Sequence, residues 1–192
     1  PASVALFIGS DVIISALFGY GSFSEEAVTN SAQALFYFGL GLPAFALTKV
    51  FSTFFFANHD TKTPFYISIF SVILNVIISI YYFKSVGFII IPIATSISSW
   101  FNSILLFVFL KNRDLFKFNE IFIIRFIKIS FSSFLMGIVF KYIILFFENQ
   151  LVYDYYFKSF YLLLSVILGL IFYLLISWLI KAFKYDDIKL KY

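Results

Sequence analysis

The side chains able to do chemistry in this chain are few, and most stand alone inside apolar stretches. Asp11 interrupts an otherwise hydrophobic run. It reads either as a cation or proton site or a cavity-lining charge, or as a carboxylate exposed at a broken helix end. Lys49 sits about two turns before a helix end. It either snorkels to the interface along its alkyl stem or faces a cavity and meets an anionic substrate. Asn75 and Ser79 are one turn apart and share a helix face, and Thr95, Ser96, Ser98 and Ser99 recur on the following apolar run. Such amide and hydroxyl oxygens can coordinate sodium, and they equally make ordinary hydrogen bonds between packed membrane helices. His59 has no cysteine or second histidine beside it, and metal sites need clustered ligands. The acidic residues lie mostly in loops and no catalytic constellation is recognisable, so an enzyme is not expected, and neither is a bound cofactor or metal.

Composition says where these groups must work. Hydrophobic residues make up 62% of the chain and charged residues 12%, against roughly 45–50% and about 25% in soluble domains. The chain is therefore read as a membrane protein whose polar groups are costly to bury and line a cavity or find partners. Thirty Phe and 13 Tyr suit lipid-facing and interfacial surfaces. Cysteine is absent, which leaves no disulfide or thiol chemistry. The formal charge of +4 is modest, and nucleic acid is not an expected partner. The chain begins with Pro1, its sole methionine is Met136, and it reads as a piece of a longer protein.

A spanning helix takes about 20 apolar residues. The pattern predicts a truncated helix over residues 2–18, a loop over 19–30, and a long helix over 31–56 kinked near Gly39, Gly41 and Pro43, because proline removes a backbone donor. Further helices are predicted over 64–83, from the Gly87 turn to 110 with a bend near Pro92, over 120–147 with Asn119 as cap, and over 161–180. Fold class is thus all-α, a polytopic bundle of about five helices plus a truncated one. Between the second and third lies FFFANHDTKTP, Phe54 to Pro64. Thr63 reads as the cap and Pro64 as the first residue of the next helix, with Asp60 upstream suiting the positive end of the helix dipole.

Ala57 to Pro64, taken with Gly39-Leu40-Gly41-Leu42-Pro43-Ala44-Phe45 and Lys49-Val50, resembles the MurJ/MviN family of lipid II flippases, whose pattern here is GLPAF…KV…FYARQDTKTP. Asp60, Thr61, Lys62, Thr63 and Pro64 match throughout. Asn58 stands where that family has arginine, and His59 where it has glutamine. Residues 1–7 and 17–23 are also similar to the family.

The resemblance implies the C-terminal part of a two-lobed transporter: residues 1–110 from the core of one lobe, and residues 111–192 as two additional helices with a tail. It implies an inner-membrane protein that moves lipid II, or a similar polyprenyl-diphosphate-linked saccharide, by alternating access. The N-terminal lobe of the same chain and membrane lipids are the implied partners, and transport would couple to the membrane potential or an ion gradient. The alternatives are a related exporter of another lipid-linked saccharide or small cation, and a non-transporting membrane scaffold. Loop charge gives orientation independently. Lys62, Lys111, Arg113, Lys117, Lys181, Lys184, Lys189 and Lys191 fall on one side, against Lys84 and Lys158 on the other. The positive-inside rule makes the first side cytoplasmic, and with it the 60–64 hinge and the C-terminus.

Overall fold

The computed structural model describes residues 1–114 and 120–182, apart from the side chain of residue 121. Asn119, the expected cap, lies outside the described residues. Six α-helices follow one another: α1 (Ala2–Phe18), α2 (Glu25–Ala57), α3 (Lys62–Val86), α4 (Ile90–Asn112), α5 (Glu120–Phe146) and α6 (Lys158–Leu179), with short 3₁₀ turns at Gly87–Ile89 and Glu148–Gln150. Among the described residues four stretches are long and apolar enough to cross a membrane: Glu25–Ala57, Lys62–Asn112, Phe122–Phe146 and Lys158–Leu179. The second is a hairpin of α3 and α4. At 17 residues, α1 is only about 25 Å long at 1.5 Å per residue, short of a full crossing, as the sequence implied.

Several boundaries differ from the sequence reading, each for a local reason. α2 starts at Glu25 rather than residue 31 because Ser24 caps it: the Ala27 N–H donates to Ser24 Oγ at 3.2 Å. Glu25 and Glu26 occupy the first turn, where negative charge is favourable. Pro43 lies inside α2 and the helix continues through it. Pro92 does not break α4. It falls in the first turn, where the missing N–H would have had no helical partner anyway, and the irregularity precedes it in the 3₁₀ turn. α6 begins at Lys158, three residues early.

The chain divides into two compact units, 1–32 with 118–192, and 33–117. In the second, α3 and α4 run antiparallel. Asn75 Nδ2 donates to Thr95 Oγ1 at 3.1 Å and to Ser98 Oγ at 3.3 Å, and Asn102 Nδ2 donates to Ser68 Oγ at 3.4 Å. Phe51 and Phe55 of α2 pack on Ile67, Leu106 and Leu110. Further along α2, Ser96 Oγ donates to the Tyr37 carbonyl at 2.6 Å and Trp100 Nε1 to the Leu40 carbonyl at 3.0 Å. Gly41 makes that approach possible, since a Cβ there would stand 2.7 Å from Ser96 Oγ.

In the first unit α1, α5 and α6 interlock through small residues. Phe140 of α5 fills the space left by Gly9 of α1 and Gly169 of α6, where an added Cβ would meet its ring at 2.9 and 3.2 Å. Gly137 does the same for Val4, at 2.6 Å. This is the small-residue packing that substitutes for a hydrophobic driving force in lipid. The close contact at Gly41 gives a test. Gly41→Val should lower the thermal midpoint of the purified protein in detergent, because a branched side chain forces α4 off α2 and breaks both carbonyl bonds. Leu42→Val, at an exposed neighbour, should leave the midpoint within error.

Candidate functional site

The α2–α3 hinge gathers Asp60, Thr63 and Arg113 into a polar cluster in unit 33–117. α2 ends in a Schellman arrangement: the Asp60 N–H returns to the Phe55 carbonyl and the His59 N–H to the Phe56 carbonyl, both at 3.0 Å, which satisfies carbonyls the helix leaves open. His59 holds the left-handed position that closes this motif, with φ of 57°, where glycine is the usual residue. Asn58 Nδ2 donates to the Phe54 carbonyl at 2.8 Å. Asp60 then starts the next helix. Its Oδ1 accepts the Thr63 N–H at 3.0 Å and its Oδ2 the Thr63 hydroxyl at 2.6 Å.

The cap is therefore Asp60, not Thr63 as the sequence suggested. α3 starts at Lys62, so Pro64 is its third residue, where a missing N–H still costs nothing. Thr61 and Lys62 are exposed. Arg113, just past the end of α4, pairs with Asp60 Oδ2, donates to Thr63 Oγ1 at 3.1 Å, and lies 5.9 Å from the Phe55 ring centroid. The two Thr63 hydrogen bonds, then Arg113, hold the Asp60 carboxyl down at about 2 from the usual 3.8.

Asn75 and Thr95 meet across the α3–α4 hairpin, and Ser79 lies one turn along α3 from Asn75. The amide of Asn75 donates to the Thr95 and Ser98 hydroxyls. Thr95 Oγ1 donates on to the Ile91 carbonyl at 2.8 Å and Ser98 Oγ to the Thr95 carbonyl at 3.0 Å. The Thr95 and Ser98 hydroxyl protons are thus each committed to a carbonyl oxygen, so that Asn75, Thr95 and Ser98 tie α3 to α4. An ion here would require the amide to present its oxygen instead. Ser79 Oγ is buried with no hydrogen-bond partner among the described residues. Asp11 and Lys49 both lie on exposed helix faces and join neither cluster. No group of three or more metal-binding side chains occurs among the described residues.

The comparisons with known proteins follow the same lines. The family model described as "Lipid II flippase MurJ" matches residues 1–166. The chain belongs to the lipid II flippase MurJ family. A Rickettsia prowazekii protein named "Probable lipid II flippase MurJ" is 31% identical over 97% of this chain and 37% of its own length. The Burkholderia cenocepacia protein named "Lipid II flippase MurJ" is 31% identical over 61% of the chain and 23% of its own length. A solved structure, "Lipid II flippase MurJ, inward closed conformation", superposes with a TM-score of 0.74 at 26% identity, over 98% of this chain and 36% of that one. The chain thus spans between 23% and 37% of the length of these MurJ proteins, and it is the same kind of multi-pass helical membrane protein.

Two contributors escaped the sequence reading. Arg113 was counted only as a loop charge, although the hairpin register that pairs Asn75 with Ser98 also brings residue 113 level with residue 60. Lys158, counted likewise, is wholly buried in the unit that holds α1, α5 and α6. In the same unit α1, α5 and α6 line a half-open apolar groove of about 600 Å³, with Leu6, Ile13, Phe140, Leu162, Val166 and Leu170 among its walls.

Two measurements test the hinge. Asp60 has a depressed folded-state pKa, so its contribution is complete above the unfolded value of 3.8 and is lost as pH falls through about 2. The stability gap between wild type and Asp60→Ala in detergent should be flat above pH 3.8 and close between there and pH 2. A gap unchanged at pH 2 would show that the carboxylate charge is irrelevant. His59→Gly should stabilise the protein by up to about 1 kcal/mol, since it relieves the left-handed backbone cost of a side chain. Denaturation midpoints at neutral pH report it.

Proposed function

We propose that the chain is the C-terminal part of a flippase that moves lipid-linked peptidoglycan precursor from the cytoplasmic to the periplasmic leaflet of the bacterial inner membrane by alternating access. The family match over residues 1–166 carries this reading, and the fold similarity across almost the whole chain supports it. Residues 1–110 would belong to the lobe core and residues 111–192 to the two additional helices. The substrate would be lipid II or a similar polyprenyl-diphosphate-linked saccharide. The apolar groove among α1, α5 and α6 suits its hydrocarbon tail and has almost nothing polar to offer a headgroup. The headgroup would instead meet a polar cavity between this lobe and the N-terminal lobe, where Asp11 and Lys49, exposed on their helices, are the candidate lining charges.

The C-terminus and the 60–64 hinge would be cytoplasmic, on the strength of the loop-charge asymmetry. Coupling to the membrane potential is physically sufficient, since one charge moved is worth about 2.3 kcal/mol per 100 mV. An ion gradient acting at Asn75, Ser79 and Thr95 would have to displace the hydrogen bonds that now tie α3 to α4.

The test is genetic. The complete gene that contains this stretch, expressed while a bacterium's own lipid II flippase is depleted, should restore growth and precursor flipping. Asp60→Ala with Pro64→Ala should lower folded yield or rescue. Correct insertion without rescue would redirect the substrate assignment to other lipid-linked saccharides.

A further inference from the structure

Among the described residues Lys158 is the charged side chain with no solvent exposure. Its described partners include no carboxylate. Its ammonium group instead donates to the Gly19 carbonyl at 2.6 Å and to the Tyr153 carbonyl. The rings of Tyr20 and Tyr153 flank it, with centroids 4.3 and 4.6 Å from Nζ. Two carbonyl acceptors and two aromatic faces thus replace water around a cation with three donors, at the C-terminal end of α1, where the helix dipole favours positive charge.

Neighbouring bonds fasten the same place. Ser159 Oγ donates to the Ala16 carbonyl, Tyr20 Oη and Ser159 Oγ are 2.8 Å apart, and Tyr153 Oη donates to the Phe23 carbonyl. Gly19 leaves room here: a Cβ would lie 2.5 Å from the Ser15 carbonyl, 3.0 Å from the Tyr153 ring and 3.2 Å from Nζ. Four side chains, those of Lys158, Ser159, Tyr20 and Tyr153, therefore join the end of α1 and its following linker to the start of α6.

We propose that Lys158 is a positioning residue that locks α1 to the α5–α6 pair, so that the three helices travel as one body through the conformational cycle of the whole protein. The motion rests on the flippase reading; the lock does not. The interlock of Phe140 with Gly9 and Gly169 gives the same three helices a second shared contact within their spans. α5 and α6 are then not loose additions beside α1 but part of its rigid frame.

The test uses the full-length protein in lipid nanodiscs. A water-soluble acetylating reagent, read by mass spectrometry, should modify Lys158 at least about tenfold more slowly than exposed Lys84, because reaction requires local opening. Tyr20→Leu keeps both carbonyl acceptors and removes one ring, and should raise the Lys158 rate severalfold without unfolding the protein. Spin labels at Phe7→Cys and Leu175→Cys should give one narrow distance, unchanged when lipid II is added, and Lys158→Met should broaden it. Equal acetylation of Lys158 and Lys84, an unaltered distance in Lys158→Met, or a distance that shifts with substrate would each overturn the proposal. Acetylation and the Lys158→Met distance involve no substrate, so they stand or fall independently of any transport assay.

Discussion

The governing constraint is that hydrocarbon supplies no water to an unpaired backbone group, so each helix must end where the chain itself can close it. The α2–α3 hinge shows how few residues this takes. Asp60 offers its N–H backwards to the Phe55 carbonyl and its carboxylate forwards to the Thr63 N–H. One residue thus terminates one span and initiates the next. Arg113 then ties the end of α4 to the same carboxylate, so the ends of three helices meet at a single side chain. The Phe51, Phe55, Ile67, Leu106 and Leu110 cluster can pack in register because this corner sets where α2, α3 and α4 stand.

How much of this was legible in the sequence depended on the range of the interaction. Helix number and type follow from apolar run length, and the pairing of Asn75 with Thr95 followed from polar residues recurring inside two adjacent spans. Local capping was only half legible. DTKTP announces a helix start, yet whether Asp60 or Thr63 caps it turns on a shift of two or three residues that composition does not resolve. The start of α2 was missed because Glu25 to Asn30 is polar, and polarity near a span reads as loop even where Ser24 and two glutamates form a good helix beginning. Arg113 and Lys158 were beyond reach. Their partners are respectively 53 and 139 residues away, and a basic residue near a helix end is ordinarily solvated.

These two basic residues look alike in sequence and do opposite things energetically. Arg113 is exposed, with 44% of its side chain accessible. Ion pairs in that setting are weak because solvent screens them. What matters at the hinge is therefore the backbone capping by Asp60, and Arg113 chiefly selects the register in which α4 meets it. Lys158 is the reverse case. Burying an ammonium is expensive, and its carbonyl partners have no water to fall back on. Removing the lysine would leave the buried Gly19 carbonyl without this partner, at about 1–3 kcal/mol, and likewise the part-buried Tyr153 carbonyl, whereas retaining it satisfies both and places positive charge at the end of α1. The cost of burial is offset only while α1, the Tyr153 loop and α6 remain together. A buried cation that is stable only in the assembled arrangement penalises separation, and that is the physical basis for treating these helices as one body.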